Sequence, residues 1–207
     1  MFLNAQFCWI ICALLLQANN AITTSQAFYW NWKEAQALGV KQSLRNAQMN
    51  ADDKTAIAKA LEKVIQPYLS DAGEPDDQLQ EEALKTRVKQ VDLNGDGVPE
   101  VIAQAMVGCG ASGNCPFWIF QKQSDGYKLL LDDSAETFTI QKTRTNGYSD
   151  IVLALHDSEF EQTLDVYHYA NGEYKGTTGC YTAIVAVMKD DGIHELAEPR
   201  VTPCKKE

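Results

Sequence analysis

Oxygen-bearing side chains recur through Asp92-Leu93-Asn94-Gly95-Asp96-Gly97-Val98-Pro99-Glu100, at loop positions 1, 3, 5 and 9, with glycine at position 6. A hard cation such as calcium takes 6–8 oxygen ligands, and alternate residues of a tight loop can converge on one centre. Asp92, Asp96 and Glu100 would bring charge, Asn94 a neutral oxygen and Val98 its main-chain carbonyl, while Gly97 permits the sharp reversal. The competing reading is an acidic turn held by Asx-type hydrogen bonds without a metal. Calcium, if held, would be structural and not catalytic.

The run from Val91 to Ile102, VDLNGDGVPEVI, resembles the D-x-[DN]-x-D-G-x-x-[DE] loops of FG-GAP or VCBS-type repeats, found in integrin-like β-propellers and many secreted bacterial proteins. The resemblance implies a calcium-binding loop joining two strands. It covers about a dozen residues and occurs once, so it does not imply a propeller. The loop departs from an EF-hand, which requires a bidentate acid at position 12, where Ala103 stands.

A second constellation is Cys109-Gly110-Ala111-Ser112-Gly113-Asn114-Cys115. Four cysteines lie beyond residue 27 (Cys109, Cys115, Cys180 and Cys204), and an even number suits two disulfides in an oxidising compartment. Three connectivities exist; Cys109–Cys115 with Cys180–Cys204 is preferred, because the first pair brackets a short glycine-rich turn and the second would tie down the C-terminal tail. A zinc site competes poorly, with no C-x-x-C and no nearby histidine. A small, rigid, disulfide-closed loop loses little entropy on docking, which makes Ser112 and Asn114 candidate partner-binding residues. Some bacterial lysozyme inhibitors use such a loop; the similarity is one of device and not of sequence. The plainer reading is a stapled hairpin tip.

Evidence for enzymatic chemistry is thin. The segment 110–114 fails as a nucleophile elbow, since Asn114 replaces the second glycine of G-x-S-x-G. His156, His168 and His194 are the three histidines, and none is paired with a nucleophile by spacing. Many carboxylates are available for hydrolysis, yet no pair stands out. The cluster Phe28-Tyr29-Trp30-Asn31-Trp32 could stack on sugars, but anchoring a first helix on a sheet is the simpler role.

These residues must be positioned by a frame that changes character near residue 86. Ala56, Ile57, Ala60, Leu61, Val64 and Ile65 repeat at helical spacing, with Asp52 and Asp53 suited to the first turn and Pro67 closing the segment. A weaker helix is expected over 32–48, broken at Gly39. From Val88 the period becomes two, with strands expected over 88–91, 100–107, 117–123, 127–131, 137–143, 151–156 and 163–169. Asp125-Gly126, Asn146-Gly147 and Asn171-Gly172 are tight-turn signals. The expected fold is α+β: one domain over 28–207, with a helical part (28–86) packed on an antiparallel meander of about seven strands (87–185) and a tail (186–207).

Residues 7–16, FCWIICALLL, form an apolar run too short to cross a bilayer, which needs about 20 residues. The run matches the core of a secretory signal, although no Lys or Arg precedes it. Ser25-Gln26-Ala27 fits a cleavage site, giving a signal peptide over 1–27 and a mature start at Phe28, with Ala21 as a second candidate. No other apolar run is long enough to span a membrane. The formal net charge of −10 falls entirely beyond residue 27 and argues against nucleic acid and anionic membranes as partners. The leading expectation is an exported, calcium-stabilised binding module of the periplasm or cell exterior, recognising a protein or envelope polymer. An inhibitor of a basic wall-degrading enzyme, working through the 109–115 loop, comes second. A hydrolase with an unrecognised carboxylate site comes third.

Overall fold

The computed structural model describes residues 28–31, 33–35, 39–72 and 78–204. The expected signal peptide, with Cys8 and Cys12, lies outside them. Ten strands are assigned among the described residues: β1 Gln42–Ser43, β2 Arg87–Val91, β3 Glu100–Gln104, β4 Cys115–Gln123, β5 Gly126–Ala135, β6 Thr137–Thr145, β7 Tyr148–His156, β8 Glu161–Ala170, β9 Glu173–Lys189 and β10 Gly192–Pro203. They form two antiparallel five-stranded meanders, β1-β2-β3-β4-β5 and β6-β7-β8-β9-β10. Glu136 alone separates β5 from β6, so the chain leaves one sheet and enters the other almost without a loop.

The seven expected strands therefore match β2 to β8, but they do not share one sheet. The expected tail at 186–207 is a second correction: its described part continues β9 and forms β10, which pairs with β9 on either side of an irregularity between Glu195 and Arg200. The fold is mostly β. The α part is Ala51–Ala72 (α1), Leu79–Lys85 (α2), a 3-10 turn at Leu44–Asn46 and a helical stretch at 33–35. The expected weak helix over 32–48 is mostly not formed, since β1 and the 3-10 turn occupy its second half.

Helix α1 starts where Asn50 caps it: Asn50 Oδ1 accepts from the Asp53 N–H at 2.7 Å, and Asn50 Nδ2 donates to Asp53 Oδ2 at 2.6 Å. Ile57, Leu61, Ile65 and Leu69 make one fully or almost fully buried stripe at four-residue spacing. Burial of each contributes about 1.5–3 kcal/mol. The helix does not close at Pro67 but runs on to Ala72. Proline in a helix interior removes a hydrogen bond at a cost of ~3 kcal/mol. Burial of Leu69 and the edge-on contact of Tyr68 with Trp118, ring centroids 6.0 Å apart, offset that loss.

Three apolar clusters stack the layers. α1, α2 and the 3-10 turn cover one face of the first sheet through Val101, Trp118 and Phe120. The sheets meet through Ile102, Phe117, Ile119, Phe138, Ile151 and Leu153. Phe28, Trp30 and Ala35 cover the outer face of the second sheet over Val152, Ala154, Leu164 and Ala183. Successive residues of β4 (Phe117, Trp118, Ile119, Phe120) thus alternate between two buried faces, as do Ile151 to Ala154 of β7. Of the described aromatics at the N-terminal cluster, Phe28 and Trp30 anchor on this sheet, while Tyr29 is exposed.

Candidate functional site

The loop between β2 and β3 joins two strands, as its sequence implies, and its oxygens point partly inward. Asp92 Oδ1 accepts from the Gly95 N–H at 2.6 Å and Oδ2 from Gly97 at 3.0 Å. Asn94 Oδ1 accepts from Asp96 N at 2.8 Å, and Asp96 Oδ1 from Val98 N at 2.7 Å. These are Asx-type bonds. Gly97 has φ 83°, the left-handed conformation the reversal needs. The Asn94 amide nitrogen donates to Asp96 Oδ2 at 2.8 Å and lies 3.5 Å from Glu100 Oε1. It therefore takes the central place between the two carboxylates. For Asn94 to offer oxygen to a metal, its amide must turn over.

Glu100 is buried, and its Oε2 accepts from the Leu93 N–H at 2.8 Å. Burial pushes its carboxyl above the ordinary range; the Leu93 bond opposes this, and the charges of Asp96 and Asp92 add to it. Asp92 moves the other way: desolvation raises it, but N–H donors from Gly95, Gly97, Asn94 and Asp96 outweigh that and hold it low. By residue type Asp92, Asn94, Asp96 and Glu100 could offer oxygen to a hard cation, but here both Asp92 oxygens accept backbone N–H groups and the Asn94 nitrogen faces the carboxylates. Val98, the fifth expected ligand, is exposed and its N–H is bound to Asp96. Among the described residues, no group of three or more His, Cys, Asp or Glu is arranged to hold a metal ion.

Three contacts tie this loop to the second sheet. The Ser149 N–H donates to Leu93 O at 2.8 Å, Asn94 Nδ2 to Tyr148 Oη at 3.1 Å, and Arg144 Nη1 to Asn94 O at 3.1 Å. Tyr148 stacks on Tyr169 with centroids 3.7 Å apart, and Tyr174 meets both edge-on. The loop is a joint between the sheets. Nothing in the sequence near Asp92 pointed to Arg144, Tyr148 or Ser149; the only local signal was the Asn146-Gly147 turn that presents them.

The other end of β3 carries the second candidate. Cys109–Cys115 and Cys180–Cys204 are the disulfides, with Cα atoms 4.0 and 5.4 Å apart. Inside the first, Gly110 N donates to Asn114 O and Gly113 N to Gly110 O, both at 2.9 Å. The Asn114 side chain, a candidate for partner binding, is engaged within the molecule. Its Oδ1 accepts from His156 N at 2.7 Å and its Nδ2 donates to His156 O at 3.1 Å, so it bolts the loop to the end of β7. Ser112 is exposed at the tip.

The histidines are apart from one another. His168 Nδ1 lies 2.8 Å from the buried Asp150 Oδ1 and 3.3 Å from Thr145 Oγ1. His156 Nδ1 is 3.6 Å from Glu136, and His194 Nε2 is 2.6 Å from Asp191. A carboxylate group invisible in the sequence sits on β5 and β8, where Tyr167 donates to Asp133. Burial, then the charges of Asp133 and Asp157, raise the Asp165 carboxyl. No helix among the described residues is long and apolar enough to cross a membrane. No protein-family model, curated protein or solved structure matches this chain.

Proposed function

We propose that this protein is an exported, non-enzymatic binding module in which the 92–100 loop is a calcium-stabilised joint between the two sheets. The observation that carries the reading is the triple attachment of that loop to Arg144, Tyr148 and Ser149. A cation drawn to Asp96 and Glu100 would stiffen the seam on which both sheets rest. The two disulfides support an oxidising compartment, the periplasm or cell exterior. The ligand class is a protein or envelope polymer.

Calcium binding only the folded loop would stabilise by RT ln(1 + [L]/Kd), about 2.7 kcal/mol at a hundredfold excess over Kd. The melting temperature is expected to rise in calcium, fall in chelator and respond less to magnesium. Asp96→Ala should fold and lose the calcium response. Identical melting in calcium and chelator would reduce the loop to an acidic turn. Pull-down from envelope extract with and without chelator then tests whether the joint organises a binding face, and turnover of a wall substrate would overturn the non-enzymatic reading. The inhibitor reading gains from Asn114, because its bonds to His156 pre-organise the 109–115 loop with Ser112 at its tip.

A further inference from the structure

The two meanders give the molecule two unlike ends. One holds the 92–100 loop and the tight turns at 124–125, 146–147 and 171–172. At the other end lie the 105–114 loop, the 157–160 turn and the tip of the β9–β10 hairpin. The pairing of β8 with β9 reaches only Glu161↔Ile184, whereas β9 and β10 pair on to Lys189↔Gly192. Residues 186–195 are therefore a two-stranded ribbon running past the end of β8, touching the rest of its sheet at its base, where Val185 N donates to Phe160 O at 2.8 Å.

A two-stranded ribbon is marginal alone in water. This one carries Met188 and Ile193 as cross-strand partners on one face, 63% and 47% exposed. Met106, at the start of the 105–114 loop, is 50% exposed. Three of the five large exposed apolar side chains among the described residues thus lie at one end. Loop and ribbon are neighbours: Asn114 is bonded to His156, His156 pairs with Gln162, and Gln162 with Ala183. Two strand spacings, about 10 Å, separate the loop's attachment from Ala183, three residues before the ribbon begins. Around them, Asp157, Glu159, Glu161, Asp190, Asp191 and Glu195 are exposed, with Lys189 the one Lys or Arg within 157–161 and 186–195.

We infer that the 105–114 loop and the 186–195 ribbon form one docking face for a basic protein. This rests on the binding-module reading and gives it a surface and a partner class. The apolar residues supply the contact that must be desolvated, and the carboxylate rim selects a cationic partner and speeds its approach. The same rim opposes a second copy of this chain, since it would set like charges against each other.

The probe is lysozyme, a basic wall-degrading enzyme, titrated calorimetrically into the purified protein at 0.15 M and 0.5 M salt. Saturable binding is expected that persists at 0.5 M. The double variant Met188→Ser/Ile193→Ser should bind at least tenfold more weakly with an unchanged melting temperature, since both side chains are exposed. Ser112→Arg should weaken binding similarly. Binding by the ribbon variant equal to wild type overturns the inference; if Ser112→Arg still abolishes it, the module reading stands on the loop alone. Binding lost at 0.5 M salt and indifferent to both variants is charge attraction only, and also overturns it. No binding by the wild type rejects the partner class, while the calcium and pull-down experiments judge the module reading independently.

Discussion

Gly108 and Gly113 lie in the same loop, with φ 74° and 81°, yet they are glycine for different reasons. A Cβ at Gly113 would meet nothing within 4 Å, whereas one at Gly108 would sit 2.6 Å from Tyr68 Cδ1. Tyr68 cannot retreat freely, because its ring meets Trp118 edge-on across the helix–sheet interface. Gly113→Ala should therefore cost only the left-handed penalty, about 1–2 kcal/mol. Gly108→Ala adds overpacking of a further ~1–3 kcal/mol. Urea denaturation of both variants checks this; equal losses would mean that Tyr68 moves aside. From the sequence, both residues are simply loop glycines, and only the return of α1 onto the loop separates them.

At the scale of elements, the two loops that flank β3 are each fastened to β7, through Leu93–Ser149 at one end and Asn114–His156 at the other. A net contribution of about 0.5–1.5 kcal/mol per hydrogen bond predicts a loss of ~1–3 kcal/mol for Asn114→Ala. The urea midpoint should fall with an unchanged slope, and the disulfide should remain closed. Asn114→Asp should cost more than Asn114→Ala, because it sets a carboxylate oxygen against the His156 carbonyl. Equal stability of wild type and Asn114→Ala would show that the disulfide alone holds the loop. Strands β2 to β8 and α1 were legible because apolar period and turn residues agree there; Asn146 and Asn171 do adopt positive φ, at 50° and 53°. The division into two sheets was not, since a junction of one residue at Glu136 leaves no composition signal. The runs PFWIF (116–120) and IVLAL (151–155) did hold a clue: continuous apolar strands are covered on both faces. β10 escaped because Pro199, Pro203 and its charges read as tail, although those same features suit an edge strand. The loop's oxygen-bearing residues and its strand-to-strand placement were legible; the amide of Asn94 turned toward the carboxylates was not, since it also bonds Tyr148 from the other sheet.

The whole molecule carries a formal net charge of −10, and its acid response should have two opposed parts. Glu100 and Asp165 are carboxyls that burial and neighbouring negative charges hold above their ordinary values of 4.5 and 3.8. A raised carboxyl binds its proton more readily folded than unfolded, so these groups add stability as pH falls toward those values. Asp150 is opposite: burial raises it, but hydrogen bonds from His168, Thr143 and Thr145, with the charge of His168, outweigh that and hold it below 3.8. Asp92 is also held low. Their contribution is present above 3.8 and is lost as pH falls through their lower folded values. Stability should thus climb from neutral pH to a maximum between the raised and the lowered carboxyls, then drop below about pH 3.8. Relief of self-repulsion as the net charge shrinks acts in the same direction on the neutral side. Glu100→Gln keeps an acceptor for the Leu93 N–H and removes one titrating group, so it should flatten the climb and raise stability at pH 7. Calcium should flatten it likewise in the wild type, by stabilising the Glu100 carboxylate, and should have no such effect on Glu100→Gln. Chemical denaturation from pH 3 to 8 with and without calcium measures all of these. A climb of the same size in Glu100→Gln as in wild type would move the acid response away from the seam between the sheets.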